Sequence, residues 1–325
     1  MSGGLRERLR LWRHHARFRR DERCLPPLDL PARETPLRVN VVVHTERLAR
    51  PDAFEAMLAF ARAFRQERGV PLTCCVITPR CPWTAIQLRQ EGLDEAGYAE
   101  RVAALASEAD IGYHGHFFRE AASPEAARKA YDHDFGGGGE SFFADEWEYR
   151  LDPVGPRHHD GAVVERQMAE EMAWFSGQRI QPKVYLGGWW YMTADIARLL
   201  ERHGFEADCT LRKGHPDTFG GRYLPDQGIP SRGEPWMLPP TRAVAEIQSV
   251  FYPVDSPRRL APSYRDLFAA GPLERRSVAL PLHEGEILCF GREIRAHLDA
   301  FTRAGAAWTR VTDMAREART ACGIR

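Results

Sequence analysis

The sequence predicts an α/β protein built on a (β/α) barrel, complete or partial, and three observations carry that expectation. Apolar strand-like runs alternate with helical stretches from about residue 37 onward. Those runs are close to continuously hydrophobic, as strands covered on both faces are. Short links between the units argue for parallel strands joined by right-handed crossovers. An open doubly wound sheet is the competing arrangement.

The elements follow in order. Pro26-Pro27, Pro31 and Pro36 set residues 1–36 apart as an N-terminal arm, so the domain proper spans 37–325. Leu37–Val43 is a β-branched run that ends at His44-Thr45-Glu46. Residues 52–68 show helical spacing through Phe54, Met57, Leu58, Ala61 and Phe64, stopped by Gly69. Leu72–Thr78 reads as a second buried strand, 94–108 as a helix, and 109–114 as a third strand. The alternation resumes with a helix at 161–176, an extended 182–186, a helix at 192–203 and a short strand at 205–209. It closes with a strand at 278–283, a helix at 291–304 and a strand–helix pair over 307–320. Two stretches interrupt it. Residues 119–160 hold the Gly136–Gly139 run and an acidic–aromatic patch, and 211–262 are rich in Gly, Pro and aromatics. Insertions of that length are lids or binding loops, or else disordered.

Size and composition bound the rest. With 325 residues the chain suits one domain of roughly 200–250 residues plus extensions. Formal net charge is zero, so no global field recruits nucleic acid. Positive charge is nonetheless concentrated in the arm, where residues 5–23 carry eight arginines against three acids. Leu5, Leu9, Trp12 and Ala16 give that arm an apolar stripe, suited to peripheral contact with a membrane surface or partner, or to packing on its own domain. No apolar run reaches transmembrane length and no leader of the secretory kind is visible. The seven cysteines are odd in number and scattered, the pattern of reduced thiols. The expected location is cytoplasmic.

The residues that could carry chemistry sit at strand ends. The third strand runs into His114-Gly115-His116, and period-2 geometry puts both imidazoles on one side. Two imidazoles on one face are a partial metal-ligand set, or a hydrogen-bonded pair at a strand end. The first strand ends at His44-x-Glu46 and the late strand at His283-Glu284-Gly285-Glu286. Active sites in parallel α/β folds gather at carboxyl ends of strands, and three imidazole-bearing strand ends in one domain favour a site.

The order of these segments resembles the NodB-homology polysaccharide deacetylases of the carbohydrate esterase family 4 superfamily. His44-Thr45-Glu46 stands where many members have Asp-x-Asp or Asp-x-Glu, and Thr73–Ile77 matches a "TFFV" strand. Asp110-Ile111-Gly112-Tyr113-His114 matches "D/E-I-G-x-H". Val184–Trp189 matches "F-R-x-G-G-W", Gly204–Asp208 matches "G-F/Y-x-x-D", and Leu280–His283 matches "L-x-L-H". The likeness spans about 38–318. It implies a distorted or incomplete barrel of the NodB type and a divalent-metal hydrolase, zinc foremost, that removes acetyl groups from sugars.

By that likeness Glu46 and His114 fall in metal-ligand slots and His283 in the general-acid slot. Tyr185, Trp189 and Trp190 are the expected substrate-facing residues. The pattern also departs from the family. The base slot holds His44, which could act as base or as an additional ligand. The second metal-histidine slot holds Phe118, leaving His116 to substitute. Tyr185 replaces the arginine that would orient a base carboxylate, a loss coherent with losing that carboxylate. Two functions therefore stand: a metal-dependent deacetylase-like hydrolase acting on an acylated amino sugar or related amide, and a catalytically silent barrel that binds carbohydrate or a partner protein.

Overall fold

Residues 36–123, 125–126, 151–155, 159–211, 236–249 and 277–324 are described by the computed structural model. The basic arm, the Gly136–Gly139 run, the acidic–aromatic patch and most of 211–262 lie outside the described residues. No helix among the described residues is long and apolar enough to cross a membrane.

Strand β1 (Arg38–Thr45) leads into helix α1 (Pro51–Arg68), which starts with Pro51 in its first turn and stops at left-handed Gly69, φ 73°. Proline suits that first turn and glycine the left-handed cap. Strand β2 (Thr73–Val76) is followed by α2 (Pro82–Glu91) and α3 (Glu95–Ala106), then β3 (Asp110–Gly115). Strands β4 (Phe118–Glu120) and β5 (Leu151–Pro153) form a small antiparallel pair. Helix α4 (Gly161–Gly177) is capped by Asp160, whose carboxylate accepts the Val163 N–H at 3.1 Å. Next come β6 (Val184–Gly187), a 3-10 turn (Gly188–Trp190), α5 (Ala194–Arg202) and β7 (Ala207–Asp208). The chain continues through β8 (Trp236–Met237), β9 (Ala245–Glu246), β10 (Ser277–His283), α6 (Glu284–Arg303), β11 (Ala307–Trp308) and α7 (Val311–Ala321).

The main sheet has the order β10-β1-β2-β3-β6-β7-β9-β8, with β11 on the lower edge of β1. Every pairing from β10 to β9 is parallel, and β8 is antiparallel to β9. Just past β9, Ser249 bridges Ala279 of β10, and Ala279 N–H donates to the Gln248 carbonyl at 3.0 Å. The sheet therefore curls until its two ends touch, as in a distorted barrel and not an open doubly wound sheet.

Side chains alternate between two faces of this curl. Leu37, Val39, Val41 and Val43 pack with Met57, Phe60 and Phe64 of α1 on the helix-covered face. Val42, Cys75, Val184, Leu186, Ala207, Cys209, Ala245, Ile247 and Ala279 form the inner cluster, which Val311, Met314, Ala315 and Ala318 of α7 join. Burial on both faces is why the strands read as unbroken apolar runs. Asn40 is a buried polar residue on the inner side. Its amide donates to the Pro71 carbonyl at 3.1 Å and the Thr309 carbonyl at 2.8 Å, tying β1 to the segments beside it.

Three sequence expectations change. Residues 236–249, read as part of an insertion, supply the strand that brings the sheet back to β10. Helix α6 starts at Glu284, not 291, because Glu286 accepts the His283 N–H at 3.0 Å and caps the first turn. Helix α2 was not foreseen.

One buried acid crosses between layers. Glu171 of α4 is fully buried; it accepts from Thr78 Oγ1 at 3.0 Å and from the Tyr113 hydroxyl at 3.0 Å. Burial raises its pKa to about 8, against the pull of those hydrogen bonds. A carboxyl raised in the folded state holds its proton where the unfolded chain has lost it, so its stabilisation declines as pH rises from about 4.5 to about 8. Glu171→Gln keeps hydrogen-bonding capacity toward Thr78 and Tyr113 without that titration. Thermal denaturation should show the wild-type melting temperature falling between pH 5 and pH 9 more steeply than that of the variant. Parallel curves would assign the pH dependence elsewhere.

Candidate metal centre

Strand register assembles the site at the carboxyl ends of β1, β3 and β10. His44 is the direct cross-strand partner of His283, and their rings stack at 4.3 Å with an interplanar angle of 19°. His114, at the end of β3, lies opposite Leu186 of β6. Its Nδ1 is 2.6 Å from the Leu186 carbonyl oxygen. A carbonyl only accepts, so Nδ1 carries a proton, and Nε2 is the nitrogen turned into the mouth, where it can offer a lone pair.

Around that lone pair the other groups converge. His114 Nε2 lies 3.0 Å from His116 Nε2, 3.3 Å from Glu46 Oε1 and 3.2 Å from His44 Nδ1. His116 Nε2 is 3.4 Å from Glu46 Oε1. Ligand atoms on a tetrahedral zinc with bonds of about 2.05 Å are separated by about 3.4 Å. The His114, His116 and Glu46 atoms thus already sit at ligand spacing. Lone pairs that face one another at such distances repel. A proton relieves one contact at a time, whereas a divalent cation relieves all three. The buried His/Glu set is compatible with a divalent metal.

The electrostatics differ sharply between members. Burial, with His283 and His114 beside it, holds the His44 pKa well below the usual imidazole range. Burial and His114 bring that of His116 down to about 4. Burial opposes ionisation of Glu46, but the His114 and His116 nitrogens prevail and hold it well below the usual carboxylate range. For His283 burial again pulls downward, but Glu286, Glu46 and Glu284 outweigh it and raise the pKa to about 9. His283 is also the accessible member, 37% exposed, whereas His114 is fully buried and His116 is 1% exposed.

Packing fixes the remaining rings. His116 lies edge-on to Trp189 at 4.2 Å and Trp83 at 5.2 Å. Its Nδ1 has no hydrogen-bond partner, so contact and not a second hydrogen bond orients it. Trp190 is edge-on to His44 at 5.0 Å. Trp189 and Trp190 are both left-handed, φ 50° and 58°. That state costs about 1–2 kcal/mol per residue, and here it turns two half-buried indoles toward the histidines.

The sequence-derived residues His44, Glu46, His114, His116 and His283 are thus brought together, with Trp189 and Trp190 at their rim. Tyr185 is not among them. It is fully buried on the helix-covered face, 5.5 Å from the Tyr113 ring and 6.2 Å from that of Phe205, and presents no face to a substrate. Phe118 lies parallel to His116 at 6.4 Å and edge-on to Trp189 at 5.4 Å, as a wall and not a ligand. Two acids were overlooked as site members. Glu284 Oε2 accepts the Glu46 N–H at 3.0 Å, and burial beside the Glu46 charge raises its pKa to about 7. Glu286 Oε1 lies 3.4 Å from His283 Nδ1. Both lie within three residues after His283 in sequence, which was the available signal.

No protein-family model and no curated protein matches the chain. Among solved structures, a "putative polysaccharide deacetylase" from Mycobacterium smegmatis shares 12% identity, covering 93% of this chain and 96% of its own, at a TM-score of 0.49. A second of the same description, involved in O-antigen biosynthesis in Bordetella bronchiseptica, shares 11% identity over 89% and 90%, at 0.36. A 4-alpha-glucanotransferase from Thermococcus litoralis shares 10% over 86% of this chain but 38% of its own, at 0.46. All three scores fall short of one half, and these likenesses are too distant to assign an activity.

Gly188 makes the arrangement testable. A Cβ there would lie 2.6 Å from Cγ, Cδ2 and Nδ1 of His116, closer than carbon tolerates. Gly188→Ala should push the ring off the cluster and weaken zinc binding, measured by chelator competition, about 10–100-fold. Unchanged affinity would remove His116 from the centre.

Proposed function

We propose that the protein is a divalent-metal-dependent hydrolase that removes an acyl group from an amino sugar or a related amide. The observation that carries this reading is the convergence of His114 Nε2, His116 Nε2 and Glu46 Oε1 at ligand spacing, with His114 oriented by the Leu186 carbonyl. Two imidazoles and one carboxylate suit zinc and leave a fourth position open. Zinc held there would supply Lewis acidity toward the acyl carbonyl and an acidified water.

The protein's own groups complete the chemistry. His283, accessible and protonated near neutral pH, stands where it can donate to a leaving amine. His44, whose pKa burial lowers, stacks beside it as a candidate acceptor for a water proton. Glu286 holds the far nitrogen of His283 and so fixes the direction of its Nε2. Trp189 and Trp190 offer aromatic faces at the rim, suited to a sugar ring. A cytoplasmic setting would favour a soluble, nucleotide- or lipid-linked sugar over cell-wall polymer.

The depressed basicity of His44 favours a second reading, in which the barrel binds carbohydrate or a partner without turnover. Supplied with one equivalent of zinc, the protein should release acetate from N-acetylated amino sugars, stop on chelation and recover with added zinc. His114→Ala should lose the metal. His283→Ala should keep that first equivalent while turnover falls about 10²–10⁴-fold. Metal uptake without acetate release across such a panel would support the silent barrel, and absence of stoichiometric metal would overturn the hydrolase.

A further inference from the structure

Glu46 stands between two ligand sets. His114 and His116 offer one set with it, and His44 and His283 offer another, each with atoms mutually within 4.8 Å. The two sets share Glu46 alone. We propose that a second divalent cation binds at His44, Glu46 and His283, and that its binding inhibits the hydrolase. The inference rests on the metal-dependent reading above and adds a regulatory position to the same centre.

Three features of the second set support it. A hydrolytic zinc site uses three protein ligands and keeps one position open, which His114, His116 and Glu46 already satisfy. The second set is therefore surplus to one cation, and the two sets meet at the Glu46 carboxylate. His283 has the arrangement of a supported metal ligand. Glu286 Oε1 faces its Nδ1 at 3.4 Å, while its Nε2 points toward Glu46 Oε1 at 3.9 Å. Carboxylates stand behind metal-bound histidines in this way. His44 is 2% exposed, and its Nε2 has no hydrogen-bond partner. A buried nitrogen without a partner calls for an occupant.

The second set is the looser of the two. His283 Nε2 is 3.9 Å from Glu46 Oε1, against 3.3 Å for His114 Nε2, so closing around an ion requires a side-chain shift. It should fill after the first. The inhibitory consequence is stoichiometric. When the cation takes the lone pair of His283 Nε2, the proton on that nitrogen leaves to solvent. His283 then has no proton at Nε2 to give the leaving amine.

Equilibrium dialysis of the full chain against a Zn²⁺ series tests this, read as zinc per chain and as acetate release. The expected result is two equivalents, the second weaker, with activity falling as the second binds. His283→Asn, which retains a side chain suited to the helix cap, should take up one equivalent. With Co²⁺, the contact-shifted ring signals of a directly coordinated His283 should appear only on the second equivalent, a readout on the unmutated protein. Saturation of the wild type at one equivalent would overturn the second site, as would two equivalents in His283→Asn or contact-shifted His283 ring signals at the first. Failure to bind any metal would instead overturn the hydrolase reading itself.

Discussion

The hydrogen bond from His114 Nδ1 to the Leu186 carbonyl is where strand register becomes chemistry. Parallel pairing of β3 with β6 sets His114 opposite Leu186, and at 2.6 Å the carbonyl holds a proton on Nδ1. Nε2 is thereby committed to the barrel mouth, and Glu46, His116 and His44 take positions around it. A one-residue slip of β3 would turn His114 toward the helix-covered face and bring Tyr113 inward. The slip is opposed on both sides. Gly112 lies so close to Cys75 and the Val184 carbonyl that a side chain there would meet Sγ at 2.7 Å and the oxygen at 2.8 Å. Tyr113 is anchored outward by its hydroxyl on Glu171. The buried acid Glu171 thus also helps hold the register that aims the site.

Much of this was legible because it depends on local pattern. The β-branched run of β1, the 3–4 spacing of α1 and the polar ends of β1, β3 and β10 all announce themselves in short windows. The rest depends on what the chain meets elsewhere. Strands β7 and β9 are two residues each, and β9 sits among Pro- and Gly-rich stretches where its pairing to β7, not its composition, makes it a strand. Helix α2 interleaves Gln, Arg and Thr with its apolar positions, so no clean stripe marks it. The first turns of α6 contain Gly285 between two glutamates and read as a loop until the cap on His283 is seen.

The same distinction divides the site residues. His114 and His283 follow from strand position. His116 follows from its period-2 spacing to His114, although Phe118 holds the slot the family pattern gives to the second histidine. Tyr185 was misplaced by alignment to a slot when the alternation of Val184 and Leu186 already pointed it to the other face. Pleat periodicity is the stronger constraint there, since it is imposed by the backbone and a slot in a distant pattern is not.

The stacked pair His44 and His283 carries the last step. Two imidazoles 4.3 Å apart should resist holding a proton each, and surrounding charge decides which of them holds one. His44 is embedded in β1 with imidazoles on both sides, and burial keeps it neutral. His283 caps a helix whose first turn returns Glu286 to its Nδ1, and Glu46 faces its other nitrogen. Divergent pKa values in adjacent groups are how one site provides a proton acceptor and a proton donor at one pH. Here the divergence comes from secondary structure: a strand interior on one side, a helix N-terminus with its acidic first turn on the other. The Glu-Gly-Glu that follows His283 is therefore as much part of the centre as the histidines. Without those acids, burial would push both rings the same way, and neither would hold a proton to give.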